Sequence, residues 1–199
     1  MYEISVLKQN LQSKLPGKKS QYKMAPSDRA VRDQALNISD LRKSAVLIIL
    51  FNKNNNLHVL LTQRASYKGP HGGQISFPGG KFEEHKDQNL QSTAIRETYE
   101  EIALGRDDYE ILAPLSPLFI PISKISVQPF VAFSTNILKA KPDGYELVDL
   151  YKVPISILQD PINIKKNILN DLEYPYYDFK GKKIWGATAM MISELLDVL

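Results

Sequence analysis

The stretch Gly80-Lys-Phe-Glu-Glu-His-Lys-Asp-Gln-Asn-Leu-Gln-Ser-Thr-Ala-Ile-Arg-Glu-Thr-Tyr-Glu-Glu-Ile-Ala-Leu104 carries the clearest periodicity of the chain. Within it Ile95, Thr98, Tyr99 and Ile102 fall at i, i+3, i+4 and i+7. That spacing predicts a helix over 90–104 with one apolar stripe, and Gly105 suits its C-terminal stop. Glu97, Glu100 and Glu101 share the same helix at i, i+3 and i+4, so their carboxylates are expected to gather on the face opposite the stripe. Like charges at that spacing repel, and only Arg96 lies near enough to help, best placed to pair with Glu100. Two readings follow from these residues. The glutamates form a solvated acidic surface, or they supply hard oxygen ligands to Mg²⁺ or Mn²⁺, whose shell is then completed by water and substrate phosphate. Immediately upstream, Pro78-Gly79-Gly80 predicts a tight turn that could bring backbone N–H groups and the helix start towards an anion.

Working outward, Ser44–Phe51 and Leu57–Thr62 are β-rich runs around the polar cluster Asn52–Asn56 and read as a hairpin, its first strand buried on both faces. Gln74–Phe77 reads as a short strand. Further strands are expected at Ile111–Ile120, Val127–Thr135, Tyr145–Val153 and Tyr174–Phe179, the last turning through Lys180-Gly181-Lys182-Lys183 into Ile184-Trp185. A closing helix covers Ala187–Leu199. Strands outnumber about three helices, which gives an α/β class with a mixed or antiparallel sheet. Residues 1–40 read as a helical and basic extension packed on a domain of residues 41–199, with the Lys-rich segment up to Lys23 loosely held.

Composition narrows the chemistry. The 199 residues hold 25 Lys+Arg against 22 Asp+Glu, a formal charge of +3, and 43% hydrophobic residues, as expected of one folded domain with its own core. The absence of cysteine excludes disulfides, thiolate zinc sites, iron–sulfur clusters and thiol nucleophiles, so any metal must be held by oxygen or imidazole. No apolar run matches a signal-peptide core, and the longest, Ala45–Phe51, is too short to cross a bilayer, so the chain reads as cytoplasmic with no membrane partner. A +3 charge is a weak field for a nucleic-acid binder, and Lys14, Lys18, Lys19 and Lys23 have only Tyr22 interleaved, so no nucleic-acid partner is expected.

These segments resemble a known family. Gly80–Leu104, with the core Arg96-Glu97-Thr98-Tyr99-Glu100-Glu101-Ile102-Ala103-Leu104, looks like the Nudix box. Leu60–Gly80 (LLTQRASYKGPHGGQISFPGG) is similar to the additional motif of the coenzyme A pyrophosphatase subfamily, matching at Thr62, Arg64, His71, Gly73, Gln74 and Phe77–Gly80. Lys23–Pro26 with Arg29, Glu146–Ile155 and Ile184–Ala189 extend the likeness over most of the chain. The interval from Gly80 to Arg96 is longer than in the general box, its spaced acid is matched best by Asp87 with Glu83 and Glu84 as alternatives, and Ala103 stands in the place of the box glycine.

The resemblance implies a Nudix-type α/β/α sandwich, a central mixed sheet flanked by helices. It implies metal-dependent hydrolysis of a pyrophosphate bond in coenzyme A or an acyl-coenzyme A, giving 3′,5′-ADP and 4′-phosphopantetheine or its acyl form. On that basis Glu97 and Glu101 are the expected ligands of Mg²⁺ or Mn²⁺, Glu100 is a third or water-mediated ligand, and Arg96 orients the glutamates. Glu100 and Glu146 are both candidates for the general base. Arg64 is the leading substrate contact, with Arg29, Lys81, Gly79, Gly80 and His71 as further contacts, His71 being suited also to order its loop or to act as a base. Alternatives are a Nudix enzyme acting on ADP-ribose, NADH or dinucleoside polyphosphates, or a Nudix-like module that binds a nucleotide without turnover. The oligomeric state stays open, a homodimer included.

Overall fold

Strand β1 (Arg42–Lys53) sends Ala45, Leu47, Ile49 and Phe51 into one apolar cluster and Ile48 and Leu50 into a second, as the period-two pleat of a strand covered on both faces requires. The computed structural model describes residues 4–34, 41–66, 72–169 and 171–199. Ahead of β1 lie α1 (Ile4–Gln12), α2 (Lys18–Gln21) and α3 (Arg29–Gln34). After it come β2 (Asn56–Arg64), β3 (Ile75–Ser76), β4 (Gly79–Lys81), α4 (Leu90–Ile102), β5 (Tyr109–Pro114), β6 (Leu118–Ile120) and β7 (Ile125–Ser134). The chain ends with β8 (Leu147–Pro154), α5 (Ile155–Gln159), β9 (Ile164–Leu169), β10 (Leu172–Phe179), β11 (Lys182–Trp185) and α6 (Gly186–Val198).

The expected hairpin is β1–β2, turning through Asn54 and Asn55, both left-handed at φ 51° and 62°. Two left-handed residues give the turn a twist that matches the strands, and asparagine tolerates that region better than most side chains. On its other side β1 runs parallel to β7, from Arg42 opposite Ile125 to Leu50 opposite Phe133. The remaining pairs are antiparallel: β4 with β1, β3 and β8 with β2, and β5 and β6 with β7. One parallel pair among antiparallel ones makes this eight-stranded sheet mixed. Strands β9, β10 and β11 form a separate antiparallel sheet. Helix α4 buries Ala94 and Ile102 in the cluster on one face of β1, and α6 buries Ala189, Met190, Ile192 and Leu195 in the cluster on the other. The α/β/α layering is therefore present.

Several local expectations are corrected. The buried residues of α4 are Thr93, Ala94, Thr98, Glu101 and Ile102, while Tyr99 is 63% exposed. The helix is rotated from the predicted stripe because small Ala94 and Thr98 allow close approach to β1, and Glu101 consequently faces inward. Pro78-Gly79-Gly80 is not a free turn, since Gly79 and Gly80 form β4 against Val46 and Ala45. The single strand expected at Ile111–Ile120 is two, β5 and β6, broken around Ser116-Pro117. Strand β9 was not foreseen, because its Ile-Lys-Lys-Asn-Ile-Leu run lacks the alternation of a half-buried strand.

The N-terminal segment is tightly docked instead of loosely held. Leu7, Leu11 and Met24 join the α6-side cluster. Fully buried Glu194 on α6 accepts hydrogen bonds from Gln21 Nε2 (2.9 Å) and from the backbone N–H groups of Gly17 and Ser116 (both 3.2 Å). Ser193 Oγ donates to the Ser20 carbonyl at 2.8 Å, and Lys23 pairs with Asp197. A buried carboxylate demands such donors, so it fixes the segment that supplies them. Among the described residues no helix is long and apolar enough to cross a membrane.

Helix α4 starts with a reciprocal cap: Ser92 N–H donates to Asn89 Oδ1 at 2.9 Å and Asn89 N–H to Ser92 Oγ at 3.0 Å. Its stop is Ala103, two residues ahead of the expected Gly105, in the left-handed region at φ 57° with its N–H on the Tyr99 carbonyl (2.9 Å). A Cβ in that conformation is strained, so Ala103→Gly should raise stability by roughly 0.5–1 kcal/mol, read as a higher urea midpoint at unchanged m.

Candidate active site

The site begins with Arg96, whose guanidinium is gripped from two sides. Its Nε and Nη2 donate to the two carboxylate oxygens of Asp87, both at 2.9 Å, and Nη2 also reaches the Lys81 carbonyl at 3.2 Å. Asp87 is buried and accepts further bonds from Glu83 N–H and Thr93 Oγ1, both at 3.0 Å. These donors, the Arg96 guanidinium first, hold the Asp87 carboxyl well below the usual range. Asp87 is thus the acid that pairs with Arg96, while Glu83 lies 3.9 Å from Arg96 and pairs with Lys86. The remaining nitrogen, Nη1, donates to Glu97 (2.9 Å) and Glu100 (3.0 Å). Strand β4, the 83–87 turn and α4 are tied together through one side chain.

The glutamates occupy three different environments. Glu101 is 5% exposed and accepts the Gly79 N–H at 2.9 Å. Burial pushes its carboxyl up to about 7, helped by the charges of Glu97 and Glu146 and opposed by the Gly79 N–H and Arg64. Glu97 is also raised, chiefly by burial, against the pull of Arg96. Its carboxylate fills the space over Gly80, where a Cβ would lie 2.4 Å from it. Glu100 is exposed on the outer edge. Glu146 comes from a different part of the chain: Arg64 Nη2 is 3.1 Å from it, and Arg64 Nη1 is 3.8 Å from Glu101. Two pairs of carboxylates are therefore each bridged by a guanidinium.

The loop that presents Glu146 was not anticipated. Asp143 Oδ1 accepts from the N–H groups of Tyr145 and Glu146 (3.1 Å each) and of Leu147 (2.8 Å), and the Asp143 N–H donates to the Glu101 carbonyl at 3.0 Å. The Glu146 carbonyl in turn accepts from Ala65 at 2.8 Å. The sequence signal was Asp143-Gly144, a turn dipeptide whose aspartate can cap following amides.

Other expected contacts fare differently. Gly79 has its N–H committed to Glu101, so it does not offer that donor to a phosphate. Arg29 is not a substrate contact here. It is buried, with Nε on Asp33 (2.8 Å), Nη2 on the Phe119 carbonyl and Nη1 against Met190 Sδ, because a guanidinium this deep must satisfy its donors internally. Lys81 is exposed beside Gly80. His71 lies outside the described residues.

Among the described residues no three acidic or imidazole side chains close on one point, because Arg96 and Arg64 stand between the carboxylates. The residues nonetheless fit a hard divalent cation. All donors are carboxylate oxygens, Glu101 is buried and Glu97 half-buried, burial raises the pKa of both against the pull of a neighbouring guanidinium, and the missing Cβ of Gly80 leaves room for Glu97.

The family model described as NUDIX domain matches residues 41–134. The uncharacterized Nudix hydrolase NudL of Yersinia pestis (strain Pestoides F) is 31% identical over 159 residues, covering 77% of this chain and 78% of that protein. The chain belongs to the Nudix hydrolase family. A protein of Schizosaccharomyces pombe named as a nudix hydrolase is 32% identical over 159 residues, 78% of this Nudix chain, which spans 55% of that relative's length. The fold is similar to a crystal structure of a NUDIX hydrolase from Alicyclobacillus acidocaldarius, with a TM-score of 0.54 and 16% identity over 79% of this chain and 92% of that one.

Two glycines of this Nudix site should separate structure from chemistry. A Cβ at Gly79, where φ is 149°, would lie 2.3 Å from the Ala45 carbonyl oxygen, so Gly79→Ala should unfold or strongly destabilise the protein. At Gly80 the obstacle is the end of the Glu97 side chain, which can swing away. Gly80→Ala should therefore retain its thermal midpoint within a few degrees while turnover drops about 10- to 100-fold. In EDTA, the raised carboxyl of Glu101 makes the folded state the stronger proton binder between the ordinary value of 4.5 and about 7. Stability contributed by this group is present below 4.5 and lost as pH rises towards 7. The thermal midpoint should fall over that window and the fall should be shallower in Glu101→Gln.

Proposed function

We infer that this chain hydrolyses the pyrophosphate bond of coenzyme A or an acyl-coenzyme A, with Mg²⁺ or Mn²⁺, to 3′,5′-ADP and 4′-phosphopantetheine or its acyl form. One observation carries the catalytic part: two desolvated carboxylates, Glu97 and Glu101, sit beside the bare backbone of Gly79-Gly80, Glu97 held by Arg96 and Glu101 coupled through Arg64 to Glu146. Glu97 and Glu101 would hold the cation, with Glu100 at the outer edge. When bound, such a cation neutralises diphosphate oxygens and lowers the pKa of a water.

The protein's own groups have separable tasks. Asp87 fixes Arg96, and Arg96 fixes the carboxylates of Glu97 and Glu100, so the donor geometry is set before substrate arrives. Glu146, whose side chain is 64% exposed and projects from the Asp143 loop, is open to solvent and suited to take a proton from the attacking water. Glu100, its side chain 50% exposed and paired with Arg96 much as Glu146 is with Arg64, is the second candidate for that proton. Arg64 lies beside both Glu101 and Glu146 with its Nε unpartnered, and would meet a phosphate oxygen there once the carboxylates turn to a cation. Support for coenzyme A as the diphosphate comes from the Leu60–Gly80 motif, whose ends are the last residues of β2 and the β4 glycines beside α4.

A substrate panel with Mg²⁺ or Mn²⁺ tests this reading. Coenzyme A should have a higher kcat/KM than ADP-ribose, NADH or diadenosine polyphosphates, and faster cleavage of any of these would overturn the substrate assignment while sparing the catalytic one. Glu101→Gln should lower kcat by at least about 100-fold with an unchanged circular dichroism spectrum.

A further inference from the structure

Away from the glutamates, two adjoining clefts of about 420 and 470 Å³ follow the outer side of β8 and share Lys152, Phe179 and Lys180. Three remote parts of the chain bring lysines to them: Lys53 at the end of β1, Lys152 on β8, and Lys180 and Lys182 around the β10–β11 turn. Lys180 lies 5.5 Å from the centre of the Phe179 ring and Lys182 5.9 Å from that of Tyr151. No carboxylate lies within ion-pair distance of these four lysines among the described residues, whereas Lys8, Lys23, Lys139, Lys165 and Lys166 each have one. Asp178 lines the first cleft but is engaged by Lys165 and by the Gly181 N–H at 2.9 Å. Asp149 enters only the second.

His58 completes the first cleft. The residue is 8% exposed, its ring stacks on Phe51 with centroids 5.5 Å apart, and Nδ1 is 3.0 Å from the Asn56 carbonyl oxygen. That contact assigns the hydrogen to Nδ1 and leaves Nε2 as the other polar atom of the ring. Lysines brought to one cleft from three elements, beside an aromatic wall, make a place where an anion relieves repulsion. The lysine-rich β10–β11 turn, which sequence alone would assign to solubility, is one wall of it.

We propose that this lysine-lined cleft between β8 and the β10–β11 hairpin is a phosphate-binding site separate from the glutamate edge. The register places Lys152 opposite Leu60 and Leu147 opposite Arg64, so five residues of β8, roughly 17 Å at the usual rise, separate Lys152 from the Arg64 end, and Asp149 marks the near edge of the second cleft. Its ligand is a phosphoryl group, either on the far end of a long diphosphate substrate or on a separate phosphorylated molecule.

Amide chemical shifts of the full chain, followed during titration with inorganic pyrophosphate in EDTA, test the site without any divalent cation. Saturable shifts at Lys53, Lys152, Phe179 and Lys180, weakened at least 10-fold in Lys152→Gln/Lys180→Gln and unchanged in Lys183→Gln, are expected. Shifts that do not saturate, that cluster around Arg64 and Glu97, or that survive the double substitution would overturn the proposal. Kinetics distinguish the two sources and rest on the proposed reaction. If the double variant loses kcat/KM for coenzyme A but not for dephospho-coenzyme A, the cleft grips the substrate's own phosphate, and if both are unchanged while pyrophosphate binding is lost, the ligand is a separate molecule. Absence of turnover with either substrate would sink the function reading and leave the titration to decide the site.

Discussion

The Asp87–Arg96 pair is the constraint on which the glutamate edge depends. A forked guanidinium gripped by a buried carboxylate has little freedom, and its third nitrogen then dictates where Glu97 and Glu100 can be. Because Asp87 is itself held by Glu83 N–H and Thr93, the geometry passes from the 83–87 turn through one arginine to α4. Removing one partner from such a pair would leave an uncompensated charge, which makes the arrangement costly to rearrange. The result is rigid carboxylates at a desolvated edge, the condition for binding a cation in a fixed geometry.

A second guanidinium plays the complementary part. Arg64 joins Glu101, inside the helix face, to Glu146, carried by a loop from beyond β7. That loop is latched to α4 through the Asp143 N–H and the Glu101 carbonyl, so the end of α4 and the position of Glu146 are set together. The two arginines and the Asp143 turn convert three segments distant in sequence into one acidic surface.

Much of this was legible in the sequence, for identifiable reasons. The β1–β2 hairpin follows from apolar runs around an Asn-rich turn, and α4 and α6 from strong periodicity or apolarity. The spacing put Glu97, Glu100 and Glu101 on one helix but did not reveal the inward turn of Glu101. The rotation of α4 escaped it because the stripe counted large side chains while packing against β1 selected the small ones, Ala94 and Thr98. The fate of Arg29 was hidden for a similar reason: an arginine in a motif looks like an anion contact, and only the fold reveals that Asp33 and the Phe119 carbonyl have taken its donors. Asp87 needed the three-dimensional register to be chosen over Glu83 and Glu84.

The parallel pairing of β1 with β7 joins residues about eighty positions apart, and everything from β2 to α4 lies within the loop that this pairing closes. Closing so long a loop carries a large entropic barrier. The hairpin can form early from local contacts, but α4 has no second wall until β7 arrives beside β1. Newly synthesised chains must therefore extend past Ser134 before β1 gains its parallel neighbour, and past Glu146 before that residue can join the acidic edge.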